Sequence, residues 1–219
     1  MRNYDLGVDK DKLIILDNTE NIKKHAETVK AELLAIPGIS ATSYTNCIPA
    51  RGSRPTSEVS WEGKDAFAKV HFWCINTDFD YNKAVTINTI GGRFFNPAFS
   101  SDSSSYMIND VAAQVMKYKN PVGSQITVEG KKGTIIGVFT DFHAIDLAGP
   151  IVPTIIRIKP TESNTLLVRY SSGSFPAVAE NIQKVFRNYE PEAIFQPVLY
   201  RDLEAYTQLS TPSNLVGLA

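Results

Sequence analysis

The chain has 219 residues, 43% hydrophobic and 21% charged, the profile of a soluble globular protein of one large or two small domains. Its 22 basic and 23 acidic side chains almost cancel, so the charge footprint of a nucleic-acid binder is missing. The first residues lack the pattern of a signal peptide, and no apolar run approaches the roughly 20 residues of a membrane span.

In chain order, "LIILD" (13–17) reads as a buried strand. Asn18 or Thr19 can cap the helix that follows, on which Ile22, Ala26, Val29, Leu33 and Ile36 form one apolar stripe. Pro37 and Gly38 stop that helix, and residues 39–48 are expected to form a second strand, completing a β-α-β unit. A second unit of the same shape lies near the other end. It comprises the strand "TLLVRY" (165–170), a helix opened by Ser174 and Pro176 with a stripe of Val178, Ile182, Val185 and Tyr189, and a returning strand in 193–200. Pro197 suggests that this last strand is an edge.

Between the two units the chain is mostly strands and turns. "SEVSWEG" and "AKVHFWCINT" alternate around the Gly63 turn, "DFDYNKAV" reads as a short helical turn, and "TINTIGGRFF" follows. "FSSDSSSY" (99–106) has the composition of an exposed loop, and Asn109 can cap a short helix that "NPVG" (120–123) breaks. Residues 124–139 form a hairpin expected to turn at Gly130–Gly133. The fold class is α+β: two β-α-β units from the chain ends forming one subdomain, residues 1–50 and 162–209, and a strand-rich inserted second subdomain, residues 51–161. Residues 210–219 are left as a tail.

Signatures of common chemistry are missing: there is no phosphate loop, zinc helix, nucleophile elbow or dinucleotide turn. Gly91-Gly92-Arg93 fits a turn better than an anion cradle. His25, His71 and His143 have no spacing that would put two on one metal, and no cofactor is expected. Asp141 and His143 leave a strand end together, yet an acid and an imidazole there satisfy a turn more often than they do chemistry. Cys47 and Cys74 leave open whether they pair. Trp61, Trp73 and Phe94, with Asp141 and His143, are the candidate ligand or partner contacts.

Several segments in this order are similar to one family: "YDLGVDKDKLIIL", "LLAIPGIS", "VSWEGKD", "INTDFDY", "GGRFF", "MINDVAAQVM", "NPVG" and "GTIIGVFTDFHAIDLAGPIVPTIIRI". Together they resemble the MacB-like periplasmic core domain of FtsX-type ABC transporter permeases, in the form common in Bacteroidota. The resemblance implies a non-catalytic domain on the periplasmic side of the bacterial inner membrane, held between two transmembrane helices that this sequence does not contain. It implies a cytoplasmic ABC ATPase, a homodimer or paired permease, and in some assemblies an adaptor and an outer-membrane channel, with ATP-driven motion passed to export or release a substrate or to act on an envelope partner. The chain is then expected to be one piece of a longer permease, with positions near Leu6 and Leu209 emerging on one side. Two other readings are a periplasmic ligand-binding or sensing module and, on Asp141 and His143, a metal-dependent hydrolase.

Overall fold

A computed structural model of the chain describes residues 12–48, 54–65, 67–141 and 150–202. Leu6, Leu209, His143 and the 210–219 tail lie outside the described residues. In chain order the elements are β1 (Leu13–Asp17), α1 (Glu20–Lys24), α2 (Ala26–Leu34), β2 (Ile39–Thr45), β3 (Arg54–Thr56), β4 (Val59–Trp61), β5 (Phe72–Thr77), α3 (Tyr81–Val85), β6 (Thr89–Gly92), β7 (Tyr106–Asn109), α4 (Asp110–Met116), β8 (Gln125–Val128), β9 (Lys131–Phe139), β10 (Thr154–Ile158), β11 (Thr165–Tyr170), α5 (Phe175–Phe186) and β12 (Val198–Leu199). The strands form one mixed sheet in the order β12-β1-β11-β2-β5-β10-β7-β9-β8-β4, with β3 added to β5 and β6 to β9.

The two β-α-β units interleave. β11 lies between β1 and β2, and β1 lies between β11 and β12, all neighbours antiparallel. This is the split β-α-β arrangement of ferredoxin-like folds. It explains why "LIILD" is apolar without alternation: Ile14 and Leu16 face α1, α2 and α5, while Leu13 and Ile15 face the opposite core. The single predicted helix is broken at His25, whose N–H bonds the Ile22 carbonyl and whose ring lies 5.2 Å from that of Tyr189. Thr19 is the cap, its hydroxyl accepting from Ile22 N at 3.3 Å. On α5 the fully packed stripe is Val178, Ile182 and Phe186, with Val185 and Tyr189 at its margin.

The register fixes how the inserted segment sits. Ile14 pairs with Leu199, so the described chain enters and leaves at one end of this four-stranded unit. At the other end Asp17, Thr165, Thr45 and Thr77 align in one row, and there the chain departs after β2 and returns at β11. The sheet crosses between the two parts at the single pair Thr45–Thr77. The insertion therefore occupies the pole opposite the one where β1 starts and β12 ends.

Three cores result. One belongs to the chain-end unit and its helices, and one to the insertion, around Phe72, Tyr106, Ile108, Ile126 and Ile155. The third is shared: Leu13, Ile15, Ala41 and Leu167 from the chain ends pack with Ile75, Tyr81, Met107, Phe139 and Ile156 from the insertion. α3 carries this contact, and Arg169 on β11 donates to the carbonyl of Ala84. Cys47 lies in the shared core and Cys74 in that of the insertion, and neither is in a disulfide. Burial pushes both thiols up to about 12.

Four local expectations are corrected. The 124–139 hairpin turns at Glu129–Gly130, both left-handed at φ 48° and 78°, so Lys131 and Lys132 belong to β9. Two successive left-handed residues match the twist of the strands they join. β4 pairs with β8, leaving β5 to β10, β3 and β2, so the segments flanking Gly63 part company. The returning strand after α5 is short, Val198–Leu199, beside Pro197 and on the sheet edge as expected.

The serine-rich segment 99–106 is not simply a loop, since residues Ser100–Ser104 form a 3-10 turn around the fully buried Asp102. Arg93 Nη1 and Nη2 donate to Asp102 Oδ2 and Oδ1 at 2.5 and 2.8 Å, and Asn96 N donates to Oδ2 at 2.8 Å. The Arg93 guanidinium holds the Asp102 carboxyl below the usual carboxylate range, against the opposing effect of burial. A depressed carboxylate contributes stability that is whole above its unfolded pKa and lost as pH falls through its folded one. Asp102→Asn is accordingly expected to flatten the acid limb of stability, measured as the urea midpoint between about pH 5 and pH 2.

Candidate functional site

Of the residues singled out by sequence, Trp61 is half-buried on β4, edge-on to Phe72 at 5.7 Å, with the Lys64 ammonium 5.1 Å from its ring centre. Lys64 Nζ also donates to the Val59 carbonyl at 2.5 Å, and Lys64 N bonds the Trp61 carbonyl, closing the outer edge of β4 against further strand pairing. Trp61 lines two shallow depressions of ≈ 540 and ≈ 450 Å³, shared with Glu62 and Tyr118. Trp73 is half-buried on β5, its N–H bonded to the Pro153 carbonyl. Phe94 packs edge-on against Phe95 at 5.5 Å and backs onto the shared core. Asp141 follows β9 and accepts from Val111 N at 3.3 Å. These four are dispersed, and among the described residues no three His, Cys, Asp or Glu side chains gather as metal ligands would.

A larger concavity lies elsewhere. A cleft of ≈ 700 Å³ opens at the waist, between the α1–α2 side of the chain-end unit and the loops of the insertion that follow β5 and β10. Its apolar wall comes from Ala26, Tyr44, Phe79, Pro97, Ile158 and Pro160, with Glu20, Lys23, Lys24 and Glu27 along the rim. None of the four sequence candidates in the described residues lines it.

At the cleft's floor is a buried ionic cluster. Lys30, on α2 beside the apolar stripe, is 7% exposed, and its ammonium reaches Asp78 Oδ2 at 2.8 Å and Asp80 Oδ2 at 2.6 Å. Asp78 is the first residue after β5. Its Oδ1 accepts from Ser43 Oγ at 2.7 Å and Asp80 N at 3.0 Å, and its Oδ2 also accepts from Tyr44 N at 3.1 Å. Asp78 N in turn donates to the Tyr44 carbonyl at 3.2 Å. Asp80 is shared with the exposed Lys83 at 2.8 Å. Burial works to lower the Lys30 pKa, but Asp78 and Asp80 outweigh it and hold the ammonium above its ordinary value. Burial likewise opposes ionisation of Asp80, which Lys30 and Lys83 overcome, leaving its carboxyl below the usual range. Three of the four donors on Asp78, Lys30, Ser43 and Tyr44, thereby tie α2 and β2 to the insertion, and the fourth, Asp80 N, fixes the loop itself. The sequence carried a trace of this: Lys30 sits one position past Val29 on the packed helix face, and Asp78-Phe79-Asp80 closes the strand that meets β2.

No protein-family model matches the chain, and no curated protein matches it in sequence. Solved structures do match in fold. The periplasmic region of MacB from Actinobacillus actinomycetemcomitans superposes with a TM-score of 0.62 at 12% identity, over 94% of this chain and 96% of that one. The extracellular domain of the ABC-type transporter YknZ from Gram-positive bacteria gives 0.58 at 12% identity, over 85% and 97%. A domain of a protein named as a candidate permease from Porphyromonas gingivalis gives 0.56 at 15% identity, over 89% and 97%. The chain thus has the fold of the MacB periplasmic region across nearly its whole length.

Proposed function

We propose that the chain is the extracytoplasmic domain of an ABC transporter permease, without a reaction centre of its own, which carries ATP-driven motion outward from the membrane. The observation that carries this reading is the sharing of one fold, end to end, with domains of that kind from a MacB and a YknZ transporter. The pairing of the first and last described strands supports it. β1 and β12 bring the entering and leaving chain together at one pole, as two membrane helices in one bilayer would require. The insertion then stands as the outer lobe, and the chain-end unit as the lobe nearest the lipid.

The cluster at the waist supports a mechanical role. A domain that passes displacement from one pole to the other needs its two lobes to move together, and the shared core and the Asp78 bonds give that stiffness. Within the family reading, an ABC ATPase subunit, a second permease copy and an envelope adaptor are the partners. The full-length protein, extracted from membranes, is expected to bring an ABC ATPase subunit with it in near-equal amount. Its isolation from native membranes without any such subunit would count against the proposal.

A second reading, a ligand-sensing module, is favoured by one observation, the ≈ 700 Å³ cleft, whose size is ordinary for small-molecule sites. A ligand present at a hundred times its Kd would add about 2.7 kcal/mol of stability. Thermal shift against envelope amphiphiles decides it, and the absence of any shift removes it.

A further inference from the structure

The waist is packed on one face of the sheet and open on the other. On the α3 face the shared core runs without interruption from Leu167 and Ala41 to Ile75 and Ile156. On the α2 face the chain-end core and the core of the insertion are separate, and the cleft opens beside the chain-end core, with Phe79 and Ile158 of its wall backing onto the shared core. In the sheet itself, β2 and β5 share a single residue pair. Such a joint bends most easily about its packed side, because the open side has no continuous apolar core to break.

The ionic cluster crosses the open side, beside the Asn46 side chain, which donates to the Cys74 carbonyl and accepts from Asn76 N. Lys30 belongs to the chain-end unit and Asp78 and Asp80 to the insertion, so the two short contacts of the ammonium span the gap. We propose that Lys30, Asp78 and Asp80 form a latch that holds the cleft at its present width and makes the two lobes one body, and that releasing it lets the insertion rock about the α3 side. Three features carry it: an apolar core continuous on one face alone, a one-pair crossing of the sheet and, among the described residues, one buried cation bridging the other face. Lys30 acts here as a positioning residue. Removing its charge takes away the attraction between α2 and the two carboxylates of the insertion, which favours opening.

The test uses the 219-residue chain with spin labels at Lys24→Cys and Thr161→Cys, exposed positions on opposite lips of the cleft. Cys47 and Cys74 are buried and their thiols stay protonated, so labelling is confined to the introduced pair. The expected result is a single narrow distance distribution in the otherwise unaltered protein and in Lys30→Arg. Lys30→Met is expected to shift the distribution to longer distance and to broaden it roughly twofold. Asp80→Asn, which removes one arm of the bridge at a half-exposed position, is expected to broaden it less and covers the case in which Lys30→Met fails to fold. A distribution unchanged in Lys30→Met or, where that variant does not fold, in Asp80→Asn overturns the latch, whatever happens to the melting temperature. Equal broadening in Lys30→Arg and Lys30→Met would also overturn it, by assigning the effect to packing.

Discussion

Asp78→Ala is expected to lower the stability of the chain by about 4 kcal/mol, read as a fall in the urea midpoint with an unchanged slope. The side chain is 11% exposed, and four donors converge on its carboxylate. Truncation leaves Ser43 Oγ, Tyr44 N and Asp80 N without their acceptor and Lys30 with one carboxylate in place of two. Breaking one side of a buried ion pair costs more than the pair contributes, because the remaining charge is stranded out of water. Asp80→Ala provides the comparison: its side chain is 31% exposed and makes fewer of these bonds, so a loss below about 2 kcal/mol is expected. Equal losses for the two would mean that the cluster is a surface ion pair and that Asp78 has no special place in it.

Ile156→Ala is expected to cost about 3 kcal/mol, within the range for truncating a fully buried aliphatic side chain, and to do so in one transition. Ile156 is on β10 in the insertion but packs in the core shared with Leu13, Ile15 and Leu167. Both tryptophans of the chain, Trp61 and Trp73, lie in the insertion, so their fluorescence reports that lobe alone. Far-UV circular dichroism takes much of its helical signal from α2 and α5 in the chain-end unit. The two probes are expected to move together in the variant as in the unaltered chain. Separate transitions, with fluorescence lost first, would show that the shared core does not couple the lobes.

How far the sequence reaches depends on the range of the interactions involved. The helices, their stripes and the Asn109 cap follow from neighbours three and four residues apart, and these are seen where the pattern places them except that the first helix breaks at His25 and ends before Ile36. The pairing of the chain's two β-α-β units, which places Ile14 against both Val168 and Leu199, depends on residues more than 150 positions away. Only the family resemblance and the similar shape of the two units pointed there. The pairing within the cluster at the waist is hidden for the same reason, although its members stand at suggestive places on α2 and after β5. Lys30 and Asp78 are 48 residues apart, and nothing near either of them reveals the other. Asp102 misled in the opposite sense: five serines around one acid look solvated, but the serines carry the turn while the acid is drawn inward by Arg93. The aromatic candidates were sensible by type, yet Trp61 and Phe94 spend their faces on Phe72, Lys64 and Phe95.

The proposed latch and the pairing of β1 with β12 together give one mechanical object, with a pole where the described chain enters and leaves, a stiffened waist and, in the proposed function, an outer lobe. Its central claim is that the first pole stands on a membrane with the second facing outward. The direct measurement is proteolysis of the full-length product in spheroplasts. The account predicts that protease added outside cuts within this domain, while the rest of the protein stays in the membrane pellet after an alkaline wash. Release of the protein into the wash, or protection of the domain until the inner membrane is broken, would contradict it.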